Sequence, residues 1–199
     1  MNKYQKDLFM NIKRGFKHIF LSTLFAGSLA LADNSIGLDI NNDDLELLGS
    51  VDLNRFTGYS DGTSYLLEAS YLHADDNLLG VGLIGQNTLQ GIPNLTLGLG
   101  AKTVFTDNYM ALPFIAKGIY LLPLNDTIPP TSVTGSFAYA PSVLSFRDAK
   151  SYKEFRVEAD MEVINNIHIF TGYRNIDTDY DTYNRNFNDS FYGGLKLSF

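Results

Sequence analysis

Three histidines occur in this 199-residue chain, and two of them, His73 and His168, lie beyond its first thirty-odd residues. A histidine beside a carboxylate is the minimum for activating water or a hydroxyl. His73 is followed closely by Asp75 and Asp76, but aspartates are equally good turn formers, and no serine-containing nucleophile motif accompanies them. His168 sits in Ile-His-Ile-Phe, where the expectation is an inward, hydrogen-bonded ring. The chain has no cysteine, which excludes disulfides, thiolate metal sites and a cysteine nucleophile. Asp177, Asp179 and Asp181 recur at every second position and offer calcium its preferred oxygen donors. That spacing lacks the glycine and closing glutamate of an EF-hand loop. No catalytic residue, cofactor or metal is therefore expected, and the chain reads as non-enzymatic.

The charged residues are more informative. Glu46, Glu68, Lys102, Lys117, Arg156, Glu158, Asp160, Glu162, Arg174 and Lys196 all lie inside segments where apolar and polar residues alternate. Each falls on the face opposite the apolar one. That alternation marks strands with two different faces. The segments run over 35–40, 44–54, 63–73, 77–89, 94–105, 110–122, 131–143, 152–164, 167–175 and 188–199. Gly, Pro, Asn and Asp clusters separate them, including Asn41-Asn42-Asp43-Asp44, Gly91-Ile92-Pro93-Asn94 and Asn165-Asn166. The opposite face carries Leu45, Leu47, Tyr65, Leu67, Leu79, Val81, Leu97, Leu99, Phe114, Phe137, Phe155, Val157 and Ile169.

Alternation alone fits either a soluble sandwich with its apolar face inward or a barrel with lipid outside. The chain ends argue for the barrel. Lys13, Arg14 and Lys17 precede an apolar run from Ile19 to Ala30, and Ala30-Leu31-Ala32 is a small-x-small cleavage pattern. That is a signal peptide over 1–32, the run being shorter than the roughly 20 residues of a spanning helix. Met10 offers an alternative start. At the other end, Phe191 to Phe199 alternate strictly and stop on a bare aromatic. This resembles the closing strand of bacterial outer-membrane barrels, in which the terminal aromatic serves the assembly machinery as a signal, so Phe199 takes that role here. The leader holds five of the 15 basic and one of the 22 acidic residues, so residues 33–199 carry a net charge of −11. Such acidity argues against a nucleic-acid partner.

The expected fold is thus all-β: a closed antiparallel transmembrane barrel over 33–199. It has ten strands if 35–40 pairs with its neighbours, or eight if 33–54 forms a strap or plug. Gly172-Tyr173-Arg174-Asn175-Ile176-Asp177-Thr178-Asp179-Tyr180, then Phe187-Asn188-Asp189-Ser190-Phe191-Tyr192-Gly193-Gly194 and a final Ser-Phe, resembles the YfaZ family of predicted outer-membrane proteins. The resemblance is sharpest over the last two strands. It implies a barrel in the bacterial outer membrane and brings no activity or catalytic residues with it.

Three roles follow in order. The first is a monomeric, envelope-structural or surface-interacting barrel, partnered by outer-membrane lipids and, during biogenesis, by the assembly machinery. An acidic, tyrosine-rich outer loop at 176–187 would meet any extracellular ligand. The second is a narrow or gated channel, because the inward charges either close the lumen as ion pairs or line a polar path. The third is a lipid-acting enzyme with lateral access between 110–122 and 131–143, where Pro113 and Pro141 interrupt neighbouring strands.

Overall fold

A computed structural model describes residues 34–57, 62–125 and 127–199. The expected leader and the alternative start at Met10 lie outside the described residues. The strands are β1 (Ser35–Ile40), β2 (Leu45–Asp52), β3 (Ser64–His73), β4 (Asn77–Thr88), β5 (Leu95–Thr106) and β6 (Tyr109–Ala111). They continue as β7 (Phe114–Leu121), β8 (Thr131–Ala140), β9 (Ser145–Arg147), β10 (Ala149–Ile164), β11 (Ile167–Tyr180) and β12 (Asn184–Ser198). One helical turn, α1 (Asn54–Thr57), follows β2. All pairings are antiparallel, β4 pairs β5, and β1 pairs β12 from Ser35↔Ser198 to Ile40↔Gly193. The sheet therefore closes on itself. Short β1 pairs on both sides, so 33–54 is neither strap nor plug, and ten staves result.

The ten-stave count treats β6 and β7 as one stave. Val104↔Ala111 and Ala101↔Phe114 keep a single register across Leu112-Pro113. Proline has no N–H to donate, but Pro113 still accepts from Lys102 N at 3.0 Å, and Leu112 N turns to Leu144 O at 2.8 Å. Beyond that point β6 pairs with β9, an extra three-residue strand at the rim. The lateral opening expected at Pro113 and Pro141 is absent from this region. β7 and β8 pair without a break from Phe114↔Tyr139 to Leu121↔Ser132, and Pro141 merely precedes the 3-10 turn Ser142–Leu144.

The faces are those of a barrel in lipid. Phe191, Leu99 and Phe114 are 77%, 72% and 63% exposed, whereas Arg174, Asp39 and Glu46 are at most 1% exposed. A soluble sandwich would reverse these numbers. A Lys or Arg facing lipid at mid-depth costs roughly 2–4 kcal/mol in a barrel, which the alternation avoids.

The two ends of the barrel differ. At the terminal end the chain begins and finishes together: Asn34 N donates to Phe199 O at 3.0 Å and Phe199 N to Asn34 O at 2.8 Å. At the hairpin end, three staves overrun the others. β10, β11 and β12 have 16, 14 and 15 residues, against the roughly 9–11 needed to cross. The segment 176–187 is consequently not the loop expected from its composition. Its residues are mostly strand, paired through Asp177↔Asn186 and Asp179↔Asn184, with Asp181, Thr182 and Tyr183 as the turn. The expected break at 144–151 likewise contains β9 and the start of β10.

Candidate functional site

Because inward side chains come from every second residue of ten converging staves, the lumen is where distant sequence positions meet. It is layered. Toward the hairpin end lies an apolar core of Leu72, Leu78, Val104, Tyr109, Ala138, Tyr152, Ile176, Tyr180 and Phe187, all buried. Tyr109 is its hub, with ring centroids 5.1 Å from Tyr180 and 6.5 Å from Tyr152. Its hydroxyl donates to Ser151 O at 2.5 Å, so the one polar atom it buries is satisfied.

Below this core runs a belt of ion pairs. Arg156 grips Glu46 with two nitrogens, at 2.7 and 3.0 Å. Arg174 reaches the same carboxylate, and its Nε donates to Asn188 Oδ1 at 2.8 Å. Asp39 Oδ2 lies 3.5 Å from Arg174 Nη1. Glu154 joins Arg156 at 3.2 Å, Lys102, and the Tyr152 hydroxyl at 2.6 Å. The Tyr192 ring lies beside both guanidiniums, 5.8 Å from Arg156 and 5.2 Å from Arg174. A single cation removed here would strand buried carboxylates, the arrangement in which breaking a pair is costly.

Toward the terminal end the lumen loosens. Lys117 donates to Glu68 at 2.8 Å, and Lys196 pairs with Asp160. A cavity of about 290 Å³ opens beside these pairs; Ser50, Ser70, Gly80, Gly82, Thr134 and Ser136 are among its wall residues, and it touches the belt at Lys102, Glu154 and Arg156 and the apolar core at Ile84, Ile115 and Ala138.

The expected lumen charges thus fall into two groups. Glu46, Lys102, Arg156 and Arg174 form the belt, and Glu68, Lys117, Glu158, Asp160 and Lys196 lie nearer the terminal end. Glu162 belongs to neither. It sits at a register shift, and its Oε1 accepts from Asn166 N at 2.9 Å across the Asn165-Asn166 turn. Asp39 and Glu154 were not singled out by sequence, although Glu154 shares the parity of Arg156 and Glu158, and Asp39 lies opposite the apolar Ile36, Leu38 and Ile40 of its strand. Phe199 is held at the terminal end by its backbone pairing with Asn34.

His73 does not engage Asp75 or Asp76; its Nδ1 is 2.7 Å from Asn77 Oδ1. His168 is the more interesting ring. Its Nδ1 donates to Asp160 Oδ1 at 2.7 Å, and its Nε2 lies 3.3 Å from Ser198 Oγ. Serine, histidine and aspartate thereby line up, with Ser198 the member that sequence reasoning missed. An acyl-transfer site also needs N–H donors aimed at a developing oxyanion. The amides of Ser198 and Phe199 instead donate to Asn166 O and Asn34 O, both at 2.8 Å. The line is a cross-strand polar ladder.

At the hairpin-end rim the three aspartates do not converge. Asp177 accepts from Asn186 Nδ2 at 3.0 Å, Asp179 from Ser151 Oγ at 2.7 Å, and Asp181 N donates to Asp148 O at 3.2 Å. Arg185 and Asp76 pair nearby at 2.9 Å, and that carboxylate holds the Arg185 guanidinium above its ordinary range.

An inside-out, closed, ten-staved antiparallel barrel with an ion-paired lumen defines a β-barrel of outer-membrane type. The chain belongs to the YfaZ family: the family model described as "YfaZ precursor" matches residues 20–199. No curated protein matches it. Among solved structures it is similar to a bacterial polysaccharide outer membrane secretin, at 10% identity and TM-score 0.45, covering 83% of this chain and 68% of that one. It is also similar to a NanC porin, at 9% identity and TM-score 0.41, covering 84% of this chain and 99% of that one. Both likenesses are loose, and the architecture rests on this chain's own strand pairing.

Proposed function

We propose that this protein is a non-enzymatic component of the bacterial outer membrane, a monomeric barrel closed to bulk solute flow whose role is in envelope structure. The observation that carries the reading is the stacking of a buried aromatic and aliphatic core on a belt of ion pairs toward one end of the lumen. A path for solutes would have to part the apolar core, against which the cavity ends at Ile84, Ile115 and Ala138. The location rests on the apolar outer face, the leader-like N-terminus and the family. With the terminal end at the periplasm, as the closing strand implies, the core faces the cell exterior.

Two features weaken the other readings. Surface recognition through a long 176–187 loop loses its loop, since only a three-residue turn remains. Lipid chemistry loses both its side entrance and an oxyanion-binding partner for Ser198. Liposome swelling with small sugars tests closure: vesicles bearing the folded barrel are expected to shrink and stay shrunken in hypertonic sugar, as empty vesicles do. Rapid reswelling would refute the closed reading.

A further inference from the structure

The cavity near the terminal end carries open acceptors on a wall whose cations are all taken. Every cation along its wall is already engaged: Lys102 and Arg156 with Glu154, Lys117 with Glu68, and Lys196 with Asp160. Glu158, on the same wall, is different. The Tyr192 hydroxyl donates to its Oε2 at 3.1 Å, and no Lys, Arg or His among the described residues pairs with it. Gln86 presents a second open acceptor, for its Oε1 is buried and lacks a hydrogen-bond partner.

Glu158 is half-buried and has no countercharge, which leaves it open to a cation, and the buried Gln86 acceptor left unpaired is unfavourable. Both deficits are met by a guest that brings N–H donors and positive charge. An anionic guest would have to compete with a carboxylate for each cation. Ile84, Ile115 and Ile119 line the same space and suit methylene groups rather than a bare metal ion. The lining runs down to Ser35, Gln86, Ile119 and Lys196, all within two residues of strand ends at the terminal end, so the route in is from that side. The volume of about 290 Å³ admits a short aliphatic amine together with water, which takes about 30 Å³ per molecule.

We propose that this cavity is a binding site for small organic cations, of the class of short aliphatic mono- and diamines. Glu158 takes the ammonium charge, Gln86 accepts a second N–H, and the isoleucines cover the carbon chain. The inference goes beyond the closed-barrel reading and is measured independently of it, because binding in detergent micelles needs no membrane.

The test is isothermal titration calorimetry of butane-1,4-diamine into the folded mature barrel, with succinate as the anionic control. Saturable one-site binding of the diamine and none of succinate is expected. Glu158→Gln should weaken it at least tenfold, whereas Glu162→Gln, which removes a carboxylate of the same strand at the Asn165-Asn166 turn, should leave it unchanged. If Glu158→Gln does not fold, Gln86→Met serves, with an expected loss of about threefold or more. No binding to folded protein, tight binding of succinate, or equal losses in the Glu158 and Glu162 variants would each overturn the proposal.

Discussion

The two halves of the lumen are built from the same alternating strands yet differ in how their interiors are satisfied. The hairpin half buries large aromatic and aliphatic side chains over a belt in which each cation touches at least one carboxylate. The terminal half keeps an open cavity, lined by serine, threonine and glycine together with isoleucines and charged side chains. The same barrel can therefore be both closed and receptive. Packing decides the first property, because a tight interior admits no water. A wall carboxylate without a cation, Glu158, decides the second.

The sharpest way to break the contrast is to remove the belt's central cation. Arg174→Met leaves Glu46 and Asp39 buried beside one another, and a loss of about 3–5 kcal/mol is expected, read as the urea midpoint of the refolded barrel. Next is the aromatic half itself. Leu72 is 1% exposed, and Leu72→Ala should cost about 2–5 kcal/mol. Ser70→Ala, one inward position along the same strand but facing the cavity, should fall within about 0.5 kcal/mol. Equal effects of these two substitutions would erase the distinction between the halves.

A smaller effect sharpens the account of closure. A Cβ on Gly194 would overlap the Leu38 carbonyl and the Phe170 ring at the β1–β12 seam, whereas one on Gly135 meets nothing within 4 Å. Gly194→Ala should then cost about 1–3 kcal/mol, while Gly135→Ala is neutral in the same unfolding assay.

The last effect is pH-dependent and belongs to the hairpin-end turn. Burial pushes the Asp44 carboxyl up, but hydrogen bonds from Asn41 and Asn188 outweigh it, with help from Ser190 and Arg174. The group is held below its ordinary 3.8. A carboxyl whose folded value lies below its unfolded one stabilises at pH above the unfolded value, and that contribution is lost as pH falls through the folded value. Asp44→Asn should therefore be less stable than wild type at neutral pH, and the gap should close as pH falls through the folded value of Asp44. A gap that widens on acidification would reverse the assignment.

Much of this was legible in the sequence, for a physical reason. Period-two alternation reports the environment of each face directly, so β3, β4 and β5 are placed within a residue of their observed ends. β11 and β12 run further than expected because Asp177, Asp179, Asn184 and Asn186 carry turn chemistry, and only their pairing with each other holds them as strand. Pro113 reads as a gap, while its stave continues because the carbonyl still accepts from Lys102. Asp39 and Glu154 could have been found by parity alone. The division into a packed half and a hollow half could not. It depends on the register between staves, which decides that Arg174 meets Glu46 from 128 positions away and that Ser198 lies beside His168.

Single-channel conductance of the mature barrel in planar bilayers, alongside Lys117→Ser, tests the central claim most directly. A folded, inserted barrel that stays electrically silent in both forms is the predicted result. Discrete openings whose size or ion preference changes with Lys117→Ser would contradict it and make the inward charges a selectivity device.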